Sequence, residues 1–407
     1  MKVTIWGINY APELTGIAPY NRALCEYLRK TGHEVRMVTT FSYYPVWRKS
    51  AADRGKLFRT DVINGVNVFR CWHYVPQRVT TLKRIVHEAT FITTTFLRLL
   101  TLPRPDIYVV VSPPLLLGLA VRVLQMIRSS PYVFHVQDLQ PDAALGLGML
   151  KPSAFTRLLY RLEALAYRHA AAVSGISHGM LDAFTRKGVP AARQIYFPNG
   201  VTLPAQNNLP LRGKFRARHG FKPDEFLAIY SGNLGVKQGL DILVEAARLL
   251  VGTPVRIVIC GDGAIRPKLE AAIRQEKLEN MTLLPLQPDQ EYQEMLADAD
   301  VCLVTQQAGA GAAFLPSKLL SVLALARPVI GVADDTSALR LAMAQGGFGK
   351  CIQPGDAKNL AQVLQSFAAN RTELDQYGSN GRKYVEQFAF DKVLPKFTAD
   401  LEHLLKK

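Results

Sequence analysis

The 407-residue chain is poor in cysteine, and its five cysteines (Cys25, Cys71, Cys260, Cys302 and Cys351) are scattered, odd in number and without a CxxC pair. That pattern suggests neither a disulfide frame nor a zinc site, and it fits a reducing cytoplasm. Uninterrupted apolar runs of about 18 residues, the length of a membrane span, are also missing. The best stretch, 107–127, is broken by Ser112-Pro113-Pro114 and carries Arg122, so it reads as a buried strand, a turn and a helix. The start, Met1-Lys2-Val3-Thr4-Ile5-Trp6-Gly7, runs straight into a strand and turn. It lacks the apolar core and cleavage site of a signal peptide, and the expectation is a cytoplasmic protein. Neither a GxGxxG fingerprint nor a P-loop occurs, which leaves an NAD or ATP site without support. No helix-turn-helix, RNA-recognition or zinc-finger pattern is present, so a nucleic-acid partner is not expected.

Acidic residues are scarce in one half only. Residues 1–200 hold 25 Lys and Arg against 11 Asp and Glu, whereas the remainder holds 24 against 22, within a total formal charge of +16. A basic half joined to a near-neutral half suggests that one domain meets something anionic, and an anionic membrane surface is favoured over nucleic acid. The segment 80–100 sets Leu82, Ile85, Val86, Ala89, Phe96 and Leu99 amid Lys83, Arg84 and Arg98. This is the pattern of an interfacial amphipathic helix, or of a core helix with solvated ends.

What the chain does contain is a steady alternation of short β-branched runs with helical patterns, the signature of parallel sheets covered by helices. Strands are expected at 3–6, 34–39, 66–71, 107–111, 132–136 and 172–175 in the first half. In the second half they are expected at 226–231, 255–260, 281–284, 301–304 and 328–332. The turn-rich segment from Phe197-Pro198-Asn199-Gly200-Val201 through two asparagines to Pro210 marks a hinge. The boundary is placed near residue 202, giving a first domain of 1–202 and a second of 203–407, with the last helix able to cross back. The fold class is α/β: two doubly wound, Rossmann-like domains facing a central cleft, with chemistry expected in the loops after strands.

Four loops qualify. Gly7 to Gly16 leads from the first strand towards a helix near Ile17. Gly16 there either lets the backbone approach a phosphate at the helix N-terminus or is a simple turn glycine. His135-Val136-Gln137-Asp138-Leu139-Gln140-Pro141-Asp142 ends a strand and offers an imidazole and two carboxylates to orient sugar hydroxyls or move a proton; the other reading is a satisfied core histidine at 135 and a helix cap at Asp142, with Asp138 the stronger candidate. Ser231-Gly232-Asn233-Leu234-Gly235-Val236-Lys237-Gln238-Gly239 places Lys237 between glycines before a helix, where its ammonium can join backbone donors around a diphosphate; a solvent-exposed lysine beside a flexible turn is the other reading. The loop 305–318 ends in Pro316-Ser317-Lys318, and a lysine in a first helical turn opposes the helix dipole unless an anion faces it. The expectation is that Lys237, Lys318 and the Thr15-Gly16 turn converge on one diphosphate.

The motifs GIN-Y-PE-TG, FPNGV, SGN-G-KQGLD, CGDG and LPSKLL occur in an order and spacing that resembles the family 4 retaining glycosyltransferases through nearly the whole chain. Within that family the chain is most similar to the colanic-acid and O-antigen fucosyltransferase-like subgroup. The resemblance implies a GT-B fold, a nucleoside diphosphate sugar donor (GDP- or UDP-linked, with fucose the subgroup's sugar) in the second domain, and an acceptor at the first. It also implies no metal and no further cofactor. Lys237 then corresponds to the basic residue that stabilises the departing diphosphate, and Gly16 to the glycine whose loop approaches it. Asn233 stands where the family often has an arginine, and the family's two glutamates, eight positions apart, fall on Ala313 and Ser321. Ser321 is therefore set against the ribose, and Ser317 and Lys318 against the phosphates.

The mechanism implied is front-face displacement, in which a donor phosphate oxygen takes the acceptor proton while His135 and Asp138 orient the acceptor. A polyprenyl-diphosphate-linked saccharide of an exopolysaccharide, capsule or O-antigen would explain the basic half. It would also place the protein peripherally at the inner face of the cytoplasmic membrane. The rivals are a non-catalytic, basic membrane-binding GT-B protein and another GT-B sugar-nucleotide enzyme.

Overall fold

The computed structural model describes residues 1–44, 47–78, 80–146, 151, 153–205, 210–309 and 315–406. It divides into two compact units, Met1–Asn199 with Phe390–Lys407, and Gly200–Ala389. The asparagine pair of the expected hinge and the glutamate position Ala313 lie outside the described residues.

In the first unit the strands are β1 (Lys2–Trp6), β2 (Glu34–Thr40), β3 (Phe58–Ile63), β4 (Val66–Cys71), β5 (Ile107–Ser112), β6 (Tyr132–Val136), β7 (Ala172–Gly175) and β8 (Gln194–Tyr196). They form one sheet in the order β3-β4-β2-β1-β5-β6-β7-β8. All neighbours are parallel except β3, which runs antiparallel to β4. Every residue of β5 and β6 is buried, so helices must cover both faces of the sheet. They are α1 (Ala18–Lys30), α2 (Thr81–Thr101), α3 (Leu117–Arg128), α4 (Gln140–Gly146), α5 (Ala154–His169) and α6 (His178–Arg186).

The second unit has β9 (Phe226–Ser231), β10 (Val255–Cys260), β11 (Met281–Leu284), β12 (Val301–Thr305), β13 (Val329–Val332) and β14 (Gly349–Ile352), all parallel, in the order β11-β10-β9-β12-β13-β14. Its helices are α7 (Lys214–His219), α8 (Asp241–Leu249), α9 (Arg266–Gln275), α10 (Asp289–Asp298), α11 (Lys318–Ala324), α12 (Ala338–Gly346), α13 (Ala357–Ala369) and α14 (Thr372–Val385). The chain ends in α15 (Phe390–Lys406), which belongs to the first unit. Val393, Leu394, Phe397 and Leu401 are buried in that unit's core, and the Phe397 ring stacks on Phe197 with centroids 3.9 Å apart.

All eleven strands expected from the apolar runs are present, and three more join them. β3 is an edge strand whose residues are alternately exposed and half-buried, so it carries no apolar run. It pairs with β4 through Asn64-Gly65, both with positive φ (50° and 76°), a turn that suits right-twisted strands. β8 has only three residues, and β14 begins with a glycine and is half-buried over most of its length. Neighbouring strands, rather than local propensity, place all three.

Candidate active site

Each sheet reverses its direction of growth once. In the second unit β9 is flanked by β10 and β12, with Ala228 aligned to Ile257 on one side and Val301 on the other. In the first, β1 lies between β2 and β5. Open parallel sheets bind ligands beyond the carboxyl ends of their strands at such switch points, because the flanking connections leave in opposite directions and open a crevice. The loops after β1, β9 and β12 are those the sequence singles out.

In the second unit the loop after β9 is held by backbone contacts that tolerate no side chain. Gly232 has φ +136°, and a Cβ on Gly261 would come within 1.9 Å of the Gly232 carbonyl oxygen. Lys237 lies half-buried in a single 3₁₀ turn (Val236–Gln238), and its carbonyl accepts from Gln307 N at 2.8 Å, tying this loop to the end of β12. Asn233 is exposed, and its carbonyl accepts from the Tyr230 hydroxyl at 2.8 Å. Ser317 is the N-cap of α11, Lys318 its first residue, and Ser321 a half-buried residue one turn on.

The Lys318 ammonium is buried over the Tyr230 ring, 3.5 Å from its centroid, and 3.6 Å from where a Cβ on Gly232 would stand. No hydrogen-bond partner reaches it among the described residues. Burial drives its pKa well below the usual lysine value, because a cation out of water with no anion opposite is costly. Gln306 is also buried, and neither of its side-chain polar atoms has a partner among the described residues; Thr305 Oγ1 and Gln238 Oε1 share that condition. Gln306 lines a cavity of about 270 Å³ together with Gly239, Gln307 and Val332. Natural proteins rarely leave buried polar atoms unpaired, and here four residues on the loops of one switch point carry them. Lys318 was read from the sequence; Gln306, Thr305 and Gln238 were not, and the polar Thr-Gln-Gln ending an apolar strand was the available signal.

In the first unit the loop after β1 is pinned by Glu13. Its buried carboxylate accepts from Tyr43 N at 2.8 Å, Tyr44 N at 2.9 Å and Asn9 Nδ2 at 2.8 Å, and burial raises its pKa. Gly16 is exposed with φ +67°, and a Cβ there would lie 3.5 Å from the Tyr44 ring. The N-cap of α1, Ile17, supplies no side-chain hydrogen bond.

His135 is not where the sequence reading put it. It is 2% exposed within β6, with Nδ1 2.9 Å from Ser174 Oγ and Nε2 2.8 Å from Gln137 Nε2, and it packs on Phe197 and Phe397. Burial pushes its pKa down to about 3. The alternation of side chains along a strand turns position 135 inwards, so it is a satisfied core histidine. Gln137, which also donates to Asn199 Oδ1 at 2.9 Å, and the half-buried Asp138 lie in the loop that follows. A cavity of about 310 Å³ elsewhere in this unit, lined by Leu145, Ser153, Thr156, Arg157 and Tyr160, holds one charged group.

Residues 15–200 match the glycosyl transferase 4-like domain, and residues 212–384 match the glycosyl transferases group 1. Over 411 aligned residues the chain is 33% identical to WcaI of Escherichia coli K12, named as a colanic acid biosynthesis glycosyl transferase, covering 98% of this chain and 100% of WcaI. The chain belongs to this glycosyltransferase family. Solved structures of the same fold include sucrose-phosphate synthase from Thermosynechococcus elongatus (TM-score 0.78, 18% identity, 100% of this chain and 99% of that one). Anabaena HepE in complex with UDP-glucose is another (TM-score 0.70, 16% identity, 99% of this chain and 100% of that one). Two Rossmann-like units with parallel sheets thus make this glycosyltransferase a GT-B protein.

Proposed function

We propose that this glycosyltransferase moves a sugar, with retention, from a nucleoside diphosphate sugar bound by its second unit to a lipid-linked saccharide. The product is a repeat-unit intermediate of an exopolysaccharide, capsule or O-antigen. The observation that carries the donor side is Lys318, a buried ammonium without an anion among the described residues, at the carboxyl edge of a parallel sheet. A diphosphate there supplies the missing counter-charge. UDP-glucose bound by HepE supports a nucleotide-sugar donor, and the name of WcaI supports polysaccharide assembly. GDP-fucose is the donor the subgroup resemblance favours, with a UDP-sugar second.

In this reading Lys237 and Lys318 stabilise the negative charge that grows on the departing diphosphate as the anomeric carbon becomes cationic, the moment at which fixed charges lower the barrier most. Asn233, Ser317 and Ser321 hold the donor's phosphates and ribose. A phosphate oxygen of the donor takes the acceptor proton on the face the diphosphate leaves, which preserves the anomeric configuration. Asp138 orients the acceptor, Gly16 lets the loop after β1 approach the anionic group, and His135 acts only through the Gln137 it holds. The acceptor is a polyprenyl-diphosphate-linked saccharide reached at the inner face of the cytoplasmic membrane.

The test is a thermal-shift panel of UDP, GDP, dTDP, CMP and NAD, since a ligand that binds only the folded state raises its melting temperature. One nucleoside diphosphate is expected to give a clear shift, and Lys237→Ala to lower kcat by about 10²–10³-fold. No shift with any of them, or near-normal turnover of Lys237→Ala, would overturn the assignment.

A further inference from the structure

Among the described residues, 21 large apolar side chains are exposed, and sixteen of them are in the first unit. Eleven of the sixteen sit on or cap just three helices, α2, α3 and α5. These helices are neighbours: α3 packs against α2 on one side and α5 on the other.

On α2 the exposed apolar residues are Leu82, Ile85, Val86 and Leu97. With exposed Ala89 and Thr93 they recur at intervals of three and four, which puts them on one stripe. The buried residues of the same helix, His87, Phe91, Thr94, Thr95 and Leu99, take the opposite stripe. A surface helix ordinarily keeps its polar side outward; this one, about 30 Å long for 21 residues, turns an apolar stripe outward and buries His87, Thr94 and Thr95 beside Phe91 and Leu99. On α3 the outward residues are Val123, Met126 and Ile127, and on α5 Phe155, Leu158 and Leu165.

The charge on these helices has one sign. They carry Lys83, Arg84, Arg98, Arg122, Arg128, Arg157, Arg161 and Arg168 against two glutamates. Glu88 is paired with Arg84, and Glu163 is buried against Lys187. Beside α2, Trp72 is 37% exposed, its carbonyl held by Thr94 Oγ1 at 2.6 Å, and the Lys49 ammonium lies 4.7 Å from its ring centroid. An indole beside a lysine suits the headgroup layer, where an amphipathic ring is half-solvated. Among the described residues no helix is long and apolar enough to cross a membrane.

We infer that the adjoining outward faces of α2, α3 and α5 form the surface by which this protein lies on an anionic lipid bilayer. The apolar stripes enter the headgroup and acyl boundary while the arginines meet the lipid phosphates. A soluble acidic partner would match the charge alone; the bilayer matches both the charge and the apolar side chains spread over three helices. The inference deepens the proposed membrane location and is independent of the donor site.

The test is sedimentation of the full chain with vesicles of phosphatidylethanolamine and phosphatidylglycerol, compared with phosphatidylcholine alone, at low and high salt. Binding is expected to the anionic vesicles and to weaken with salt. The combined Ile85→Glu, Met126→Glu, Leu158→Glu variant should lose about tenfold or more of it, while Leu249→Glu with Val251→Glu in the second unit should not. Circular dichroism melting checks that the variants fold, and Met126→Trp, with emission moving to the blue on anionic vesicles, gives a reading that needs no disruptive change. Absent binding, or binding that survives the triple change, overturns the inference. A concentration-dependent dimer that the triple change abolishes, without vesicle binding, also overturns it and makes the face a contact between copies. The nucleoside diphosphate shift should persist in every one of these variants, so failure here is separable from failure of the donor assignment.

Discussion

The Lys318 ammonium is buried over Tyr230 with no hydrogen-bond partner among the described residues. Burial depresses the Lys318 pKa, so between its folded value and the unfolded value of about 10.4 the unfolded chain holds a proton that the folded chain lacks. Stability of the ligand-free protein therefore rises with pH through that window, and Lys318→Met should flatten the rise, as followed by melting temperature against pH. A diphosphate bound as proposed would restore the charged form, so nucleotide binding within that window is expected to take up a proton. Calorimetry in buffers of different ionisation enthalpy measures this, and no uptake, or uptake that persists in Lys318→Met, would remove Lys318 from the site. His135 makes the opposite case. Held near 3, its pKa keeps the ring neutral at every working pH. His135→Ala should cost about 1–3 kcal/mol of stability through the partners left behind at Ser174 and Gln137, with turnover per folded molecule within a few-fold of the parent. A denaturant melt paired with initial rates decides.

Helices and strands carry the next part of the argument. α15 completes the core of a unit whose other residues precede it by almost two hundred positions, through Val393, Leu394, Phe397 and Leu401. Phe397→Ala is expected to destabilise by about 3–5 kcal/mol, read from denaturant unfolding, whereas exposed Lys406 on the same helix should be substitutable without effect. α11 is short, and its service is positional: Pro316 and Ser317 set its start so that its first residue, Lys318, folds back onto Tyr230. The loops after β1 and β2 are joined by one buried carboxylate, Glu13. Glu13→Gln keeps the size but trades an acceptor oxygen for a donor against backbone N–H groups, and about 1–3 kcal/mol should be lost.

At the scale of the whole molecule, the two units have separate sheets and separate cores. Scanning calorimetry is expected to resolve two transitions, with the matching nucleoside diphosphate raising the one that belongs to Gly200–Ala389. An equal rise of a single transition would contradict it. The charge asymmetry, 25 basic against 11 acidic residues in the first 200, belongs to this scale too. Its use depends on where the cations sit, and eight of them lie on three adjacent helices.

Periodicity and turn chemistry in the sequence by themselves determined the parallel α/β architecture. Runs such as those of β5, β9 and β12 are apolar on both faces and leave a sheet no alternative to helical cover. They also marked the loops that follow β1, β9 and β12, because glycines at strand ends and the Pro316-Ser317-Lys318 start are local signals. Tertiary structure alone decided which polar side chains there are paired among the described residues. His135 and Gln306 both come at the ends of apolar strands, yet the side chain of one is satisfied by Ser174 and Gln137 while that of the other has no partner among the described residues. The outward apolar face of α2, α3 and α5 was equally hidden: a stripe reads as core or as surface only once the sheet has taken one side of the helix and left the other exposed.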